Sequence, residues 1–421
     1  MAIVIVIENG RVLTPNGWLE TDVAISDGAI VGTGHGFEGA TVIDAAGCLV
    51  GPGFVDLHTH LREPGQTWKE DVASGSRSAA AGGFTAVVAM PNTDPPIDSP
   101  KVVDLVASLG AEAGLVDVVP CGALTVGRSG HVASDIEALY RAGVRVFSDD
   151  GDSVGDSNLL AEIMTTVAAL DGALVAQHAE DASLTGSGHM HEGAVSRRLG
   201  VGGLPAEAEA DVVMRDLDLV RRTGAHYHCQ HVSSKMTVEI IRTAKQEGLP
   251  VTAEVTPHHL SFTENDLSSL DTNFKMYPPL RSEGDRRALL EALREGVIDA
   301  VATDHAPHQG DEKDVGFSEA PRGVIGLETA AAVVWGALRD SDALFRVLST
   351  SPATVAGLSA HGQTVQPGNR ANLVVFAPDE TWTVRSFRSK SANSPYLGAE
   401  MVGRVKTTVH DGSVTYQFGE K

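Results

Sequence analysis

The chain has 421 residues, 42% of them apolar, enough for one large catalytic unit and a smaller companion. With 32 basic against 55 acidic residues the formal net charge is -23, which leaves no basic stripe to neutralise phosphates, so small molecules rather than nucleic acid are the expected partners. No apolar run approaches the roughly 18 residues of a membrane span, and Cys48, Cys121 and Cys229 set out no disulfide framework and read as small buried hydrophobes.

At the start, Ala2 to Ile7 is a short apolar run with no basic flank; it reads as a strand rather than a leader, and a cytoplasmic protein is expected. Up to about Gly53 short β-type runs are cut by Asn9-Gly10, Asn16-Gly17 and Asp27-Gly28, which read as hairpin or turn dipeptides. Similar runs return after Leu358, at Ala371 to Phe376 and Val405 to His410, with turns at Pro367-Gly368 and Asp411-Gly412. Residues 1–52 and 359–421 are therefore expected to pair into one small β domain.

Between them, from 53 to 358, β-type runs alternate with helical segments, the signature of parallel strands joined by crossovers. The runs are Gly53 to His58, Phe84 to Met90, Val116 to Ala123, Val144 to Ser148, Ala173 to His178, Ala225 to His231, Val251 to Val255 and Ile298 to Thr303. Eight such strands close most economically into a (β/α)8, or TIM, barrel. Thr67 with Glu70 and Ser134 with Glu137 have capping-box spacing, Gly82-Gly83 is a helix stop, and Ser99-Pro100 reads as an N-cap followed by proline at the first helical position.

Chemistry-bearing residues collect where these strands should end. His58 and His60 are two apart and project from the same side of an extended chain. Asp149 and Asp150 follow strand four, His178 ends strand five, His231 ends strand six and Asp304 follows strand eight. Barrel enzymes gather their chemistry at this rim, and imidazoles with carboxylates suit a borderline cation such as Zn2+. The set has more ligands than one tetrahedral ion needs, so two metals are expected. Such ions lie about 3.5–4 Å apart and share a hydroxide formed from water with a pKa near 7. Asp149 or Asp150 can bridge them, and Asp304 can bind one metal and carry a proton to a leaving nitrogen, which is amide hydrolysis.

With these residues, the strings GFVDLHTHLREPG, AMPNTDPP, FSDDG, AQHAED, CQHVSS, AEVTPHHL, NFKMYPPLR, ATDHAPH and GLETA, in order over essentially the whole chain, resemble the class I dihydroorotases of the amidohydrolase superfamily. The resemblance implies that His58 and His60 hold one metal, His178 and His231 the other, that Asp150 bridges, and that Asp304 is the catalytic acid and base. A metal-bridging hydroxide would then attack the ring amide of L-dihydroorotate, reversibly giving N-carbamoyl-L-aspartate in pyrimidine (UMP) synthesis. Arg62 and Asn92 are similar to residues that bind the substrate carboxylate, as a guanidinium fork and an amide donor can, and His308 to a further carboxylate contact. Arg322 and Gly323 align with a segment that closes on the ring through backbone groups. The polar stretch His308 to Glu319, with glycines at 310 and 316, is expected to be a mobile loop. Relatives form homodimers or assemble with aspartate transcarbamoylase, so either partner is expected.

Two positions depart from the pattern: Tyr277 stands where many relatives have asparagine, and Arg322 where they have an apolar residue. Either Tyr277 points away or the substrate pocket is rebuilt around it. His189 with His191 and His258 with His259 are expected to pack or support rather than ligate, and Glu63-Pro64-Gly65 reads either as a loop that aims Arg62 or as an ordinary turn. Allantoinases and dihydropyrimidinases bridge their metals with a carbamylated lysine, which VRVFSDDG lacks. A non-catalytic partner of aspartate transcarbamoylase would have lost metal ligands, which this chain retains.

Overall fold

A computed structural model describes residues 4–419. Residues Ala2 and Ile3 of the expected first strand lie outside that range; the strand itself runs Ile5–Thr14 and pairs antiparallel with Gly17–Ser26. The Asn16-Gly17 and Asp27-Gly28 turns form as expected, the second leading into Ala29–Gly34. Asn9-Gly10 does not turn the chain. It is a bulge inside the first strand, where pairing jumps from Ile7↔Val23 to Gly10↔Thr21 and Asn9 takes φ 61. Asparagine tolerates that left-handed conformation, so the dipeptide bends the strand instead of ending it.

Strands from both ends of the chain share one sheet. Leu49–Pro52 pairs parallel with Ile5–Thr14 on one side and antiparallel with Leu373–Thr383 on the other. Leu373–Thr383 continues to Glu400–His410 and Ser413–Gln417, the last two joined across Asp411-Gly412. Ile5, Ile7, Val23, Val50, Leu373 and Val409 pack into its core.

All eight expected barrel strands are present: Phe54–Thr59, Phe84–Ala89, Asp117–Pro120, Val146–Phe147, Leu174–Gln177, Tyr227–Cys229, Val251–Val255 and Ala300–Val301. The first and second are buried at every position, as parallel strands covered on both faces must be. Parallel pairing runs through the first three and through the last five. Bridges Gly122↔Phe147 and Thr59↔His305 join these two groups into a closed ring, and His60 N–H donates to the His305 carbonyl at 2.9 Å across the seam.

Two helices start beyond their expected caps, one by four residues and the other by one. Asp71, not Thr67, caps Val72–Ala81 and makes a capping box with Ser74, because Glu70 is buried and accepts from Ser74 Oγ and Ser389 Oγ. Asp135, not Ser134, caps Ile136–Arg141 by accepting from Ala138 N–H. Ser99 and Pro100 start Pro100–Ala113 and Gly82 ends Val72–Ala81 as expected. The three cysteines are buried and free. Among the described residues no helix is long and apolar enough to cross a membrane.

Candidate metal and substrate site

The C-terminal ends of the barrel strands bring the four histidines and Asp150 to one point. His58 Nε2 lies 3.2 Å, His231 Nε2 3.6 Å and His178 Nδ1 3.8 Å from Asp150 Oδ1, while His60 Nε2 lies 3.4 Å from Asp150 Oδ2. Ligand atoms thus fall into two groups sharing Asp150: His58 with His60, and His178 with His231. Asp149 is turned away, accepting from Thr125 N–H at 3.1 Å and from Thr125 Oγ.

Burial alone raises the Asp150 carboxyl, but the facing His58, His231 and His60 hold it well below the usual range. Burial and the neighbouring His231 push His178 down to about 3, which keeps its imidazole neutral and able to ligate. His58 Nε2 and Asp150 Oδ1 are buried without a hydrogen-bond partner. Leaving two such atoms unpaired is costly in a protein interior, and imidazole nitrogen with carboxylate oxygen is a donor set that fits a divalent metal. The group fits.

The rings of His58 and His60 are each oriented from behind. Burial tends to raise Glu254, yet His228 and His58 hold it far below its ordinary value. Its Oε1 accepts from His58 Nδ1 at 2.8 Å, and its Oε2 lies 3.1 Å from His228 Nε2. Asn92 Oδ1 accepts from His60 Nδ1 at 2.9 Å, leaving the Asn92 amide N–H free to face the cavity. Asp304 Oδ1 stands 2.9 Å from His60 Nε2 and 3.7 Å from His58 Nε2. Burial opposes its ionisation, but His60 and His58 keep it below its ordinary value.

Arg62, His231 and Asp304 all adopt positive φ, at 62, 31 and 47. Each such non-glycine residue costs about 1–3 kcal/mol, and strain of this kind collects at functional sites.

Every expected site residue except His58 lines a single cavity of about 160 Å³; His58 is fully buried behind it. At one end Arg62 Nη2 lies 3.4 Å from His308 Nε2, and Lys69 Nζ 3.3 Å from His308 Nδ1. Burial, with Arg62 and Lys69, pushes His308 far down and keeps it neutral. This corner suits an anion. Gly323, at φ 122, lets the chain approach Ala306 closely, where an added Cβ would stand 2.6 Å from the alanine Cβ. Its backbone groups already have partners: the N–H donates to the Lys275 carbonyl and the carbonyl accepts from Lys313 Nζ and Asn393 Nδ2.

Tyr277 both lines the cavity and points its hydroxyl away. Its ring lies 4.7 Å from that of His178, Arg322 sits over it at 4.0 Å, and its hydroxyl donates to Glu180 Oε1. Arg322 in turn donates to the Gly188 carbonyl at 2.7 Å. None of His189, His191, His258 or His259 joins a metal group; His259 bonds Thr256 and the Pro278 carbonyl, and His191 sits by Arg281. Glu63 Oε2 accepts from Val72 N–H. Glu254 and Lys69 escaped the sequence reading; the one signal for Glu254 was a carboxylate inside an otherwise apolar strand run.

Residues 47–237 match the family described as dihydro-orotase-like. The chain is 43% identical to a dihydroorotase of Caldanaerobacter subterraneus subsp. tengcongensis, over 99% of this chain and 98% of that one. It is 45% identical to one of Mycobacterium bovis, over 95% of each. Among solved structures it is similar to the L-hydantoinase (dihydropyrimidinase) of Arthrobacter aurescens, with a TM-score of 0.87 at 26% identity over 99% of this chain and 97% of that one.

Proposed function

The chain belongs to the dihydroorotase family of cyclic-amide hydrolases, and from that premise we propose how its residues open and close the ring. The reaction is the reversible interconversion of L-dihydroorotate plus water with N-carbamoyl-L-aspartate, a step of pyrimidine biosynthesis. The observation that carries the assignment of roles is the convergence of four imidazoles on Asp150, with Asp304 beside them and a cationic corner in the same cavity. Among the described residues no lysine lines that cavity, and the ligand shared by the two pairs of histidines is a carboxylate, Asp150.

His58 and His60 would hold one divalent ion, His178 and His231 a second, with Asp150 shared and zinc the metal. Metal there supplies a polarised amide carbonyl and a water acidic enough to attack at neutral pH. Arg62 and His308 bind the substrate carboxylate together with the Asn92 amide, placing the ring amide over Asp150. Asp304 takes a proton from the attacking water as its oxygen bonds to the carbonyl carbon, and returns it to the ring nitrogen as the C–N bond breaks. Ring closure runs the same transfers backwards. Residues 53–358 form the catalytic unit and 1–52 with 359–421 the β domain in this reading, and the location is cytoplasmic.

The test is metal content of the purified protein measured beside turnover of L-dihydroorotate, N-carbamoyl-L-aspartate, allantoin and dihydrouracil. Bound metal, with the first two turned over and the other two at most residually, is the expected result. Metal-free protein without turnover would leave a non-catalytic scaffold, and turnover of allantoin or dihydrouracil in place of dihydroorotate would reassign the substrate.

A further inference from the structure

A second cavity, of about 500 Å³, opens beside the first, lined by Arg128, Asp152, Glu180, Asp181 and Arg215 among others. The two cavities share Gly151, His178 and Tyr277. Gly151 has no side chain to move and His178 belongs to the metal groups, so of the three only Tyr277 can partition the space. Its ring faces the inner cavity between His178 and Arg322 while its hydroxyl reaches Glu180, a wall residue of the outer one.

We propose that Tyr277 is a specificity-determining residue: it walls the active-site cavity from the outer one and so limits the substituent that a carboxylate-bearing cyclic amide can carry. This rests on the dihydroorotase reading above. The outer cavity would accept a neutral group. Its wall carries Asp152, Glu180, Asp181 and Asp211 against two arginines, Arg128 paired with Asp152 and Arg215 with Asp216, so the surrounding carboxylates disfavour a second anion. Neutral aromatic bulk, such as a benzyl group, matches a space of that size once the phenol ring is gone.

The experiment compares kcat/KM for dihydroorotate with that for its 5-benzyl and N3-benzyl derivatives, which keep the carboxylate for Arg62. Tyr277→Ala is expected to raise the benzyl-to-parent ratio about tenfold or more for at least one derivative, whereas Tyr277→Phe, which retains the ring, leaves both ratios near those of the unaltered protein. An alanine variant with normal metal content and unchanged ratios overturns the proposal. Should that variant not fold, Tyr277→Leu, which also removes the ring but keeps apolar bulk, must raise the ratio; no rise is equally fatal. Failure of the unaltered protein to turn over dihydroorotate itself would instead strike the functional reading.

Discussion

His60 Nε2 and Asp304 Oδ1 stand 2.9 Å apart, which places the carboxylate against the same imidazole edge that faces Asp150. Asp304 can therefore serve the metal group and still reach the ring nitrogen. Asp304→Asn keeps the shape and an oxygen donor but cannot accept a proton, so it should retain metal and lose about 10²–10⁴-fold in turnover. Metal analysis with steady-state rates checks this, and an active asparagine variant would remove the proton-transfer role.

Glu254 touches no expected ligand of the substrate, yet it orients His58 from its far nitrogen. Glu254→Gln should weaken metal binding by about 10–100-fold while leaving the fold intact. Titration of chelator-stripped protein with zinc reads the affinity directly; an unaltered affinity would show that His58 needs no such support.

Arg62 is assigned to the carboxylate alone. In Arg62→Met the loss should be roughly 10- to 100-fold on dihydroorotate, with residual activity on a neutral cyclic amide such as dihydrouracil changed little. Equal losses on both would place the guanidinium elsewhere in the mechanism.

Lys313 is buried under the segment that lines the cavity, donating to the Pro321 and Gly323 carbonyls. Burial and the nearby Lys275 push it down to about 7. Its folded pKa lies below the unfolded one, so between about pH 7 and pH 10 the unfolded chain holds the extra proton and stability rises with pH. The stability of the natural protein relative to Lys313→Met should thus improve from pH 7 to pH 10. Thermal melts of both proteins at the two pH values measure the gap, and a constant gap would contradict the shift.

What could be seen in the sequence was periodic or local. Eight apolar runs announced the barrel strands, and the HxH of His58 and His60 announced a shared direction because side chains two apart on a strand face one way. Asp150 was separable from Asp149 only by family resemblance; in space the difference is plain, since Asp149 is held by Thr125. The helix caps at Thr67 and Ser134 were misplaced because a better acceptor, Asp71 or Asp135, follows each closely and the spacing pattern does not rank them. Lys69 could not be found at all. Its meeting with His308 joins residues 239 apart in the chain, and no local pattern marks such a pair. Tyr277 was visible as a departure, but its consequence depends on Glu180 and Arg322, which reach it from other parts of the barrel.

The pairing of Leu49–Pro52 with Leu373–Thr383 also imposes an order on biosynthesis. A ribosome that has delivered the entire ring of strands has not yet delivered the neighbour that Leu49–Pro52 requires, so during that interval the early strand presents an unpaired edge in the crowded cell. Every strand of the catalytic rim precedes Leu373–Thr383 in the chain, so that late strand is the clasp that joins the two ends of the sequence into one sheet.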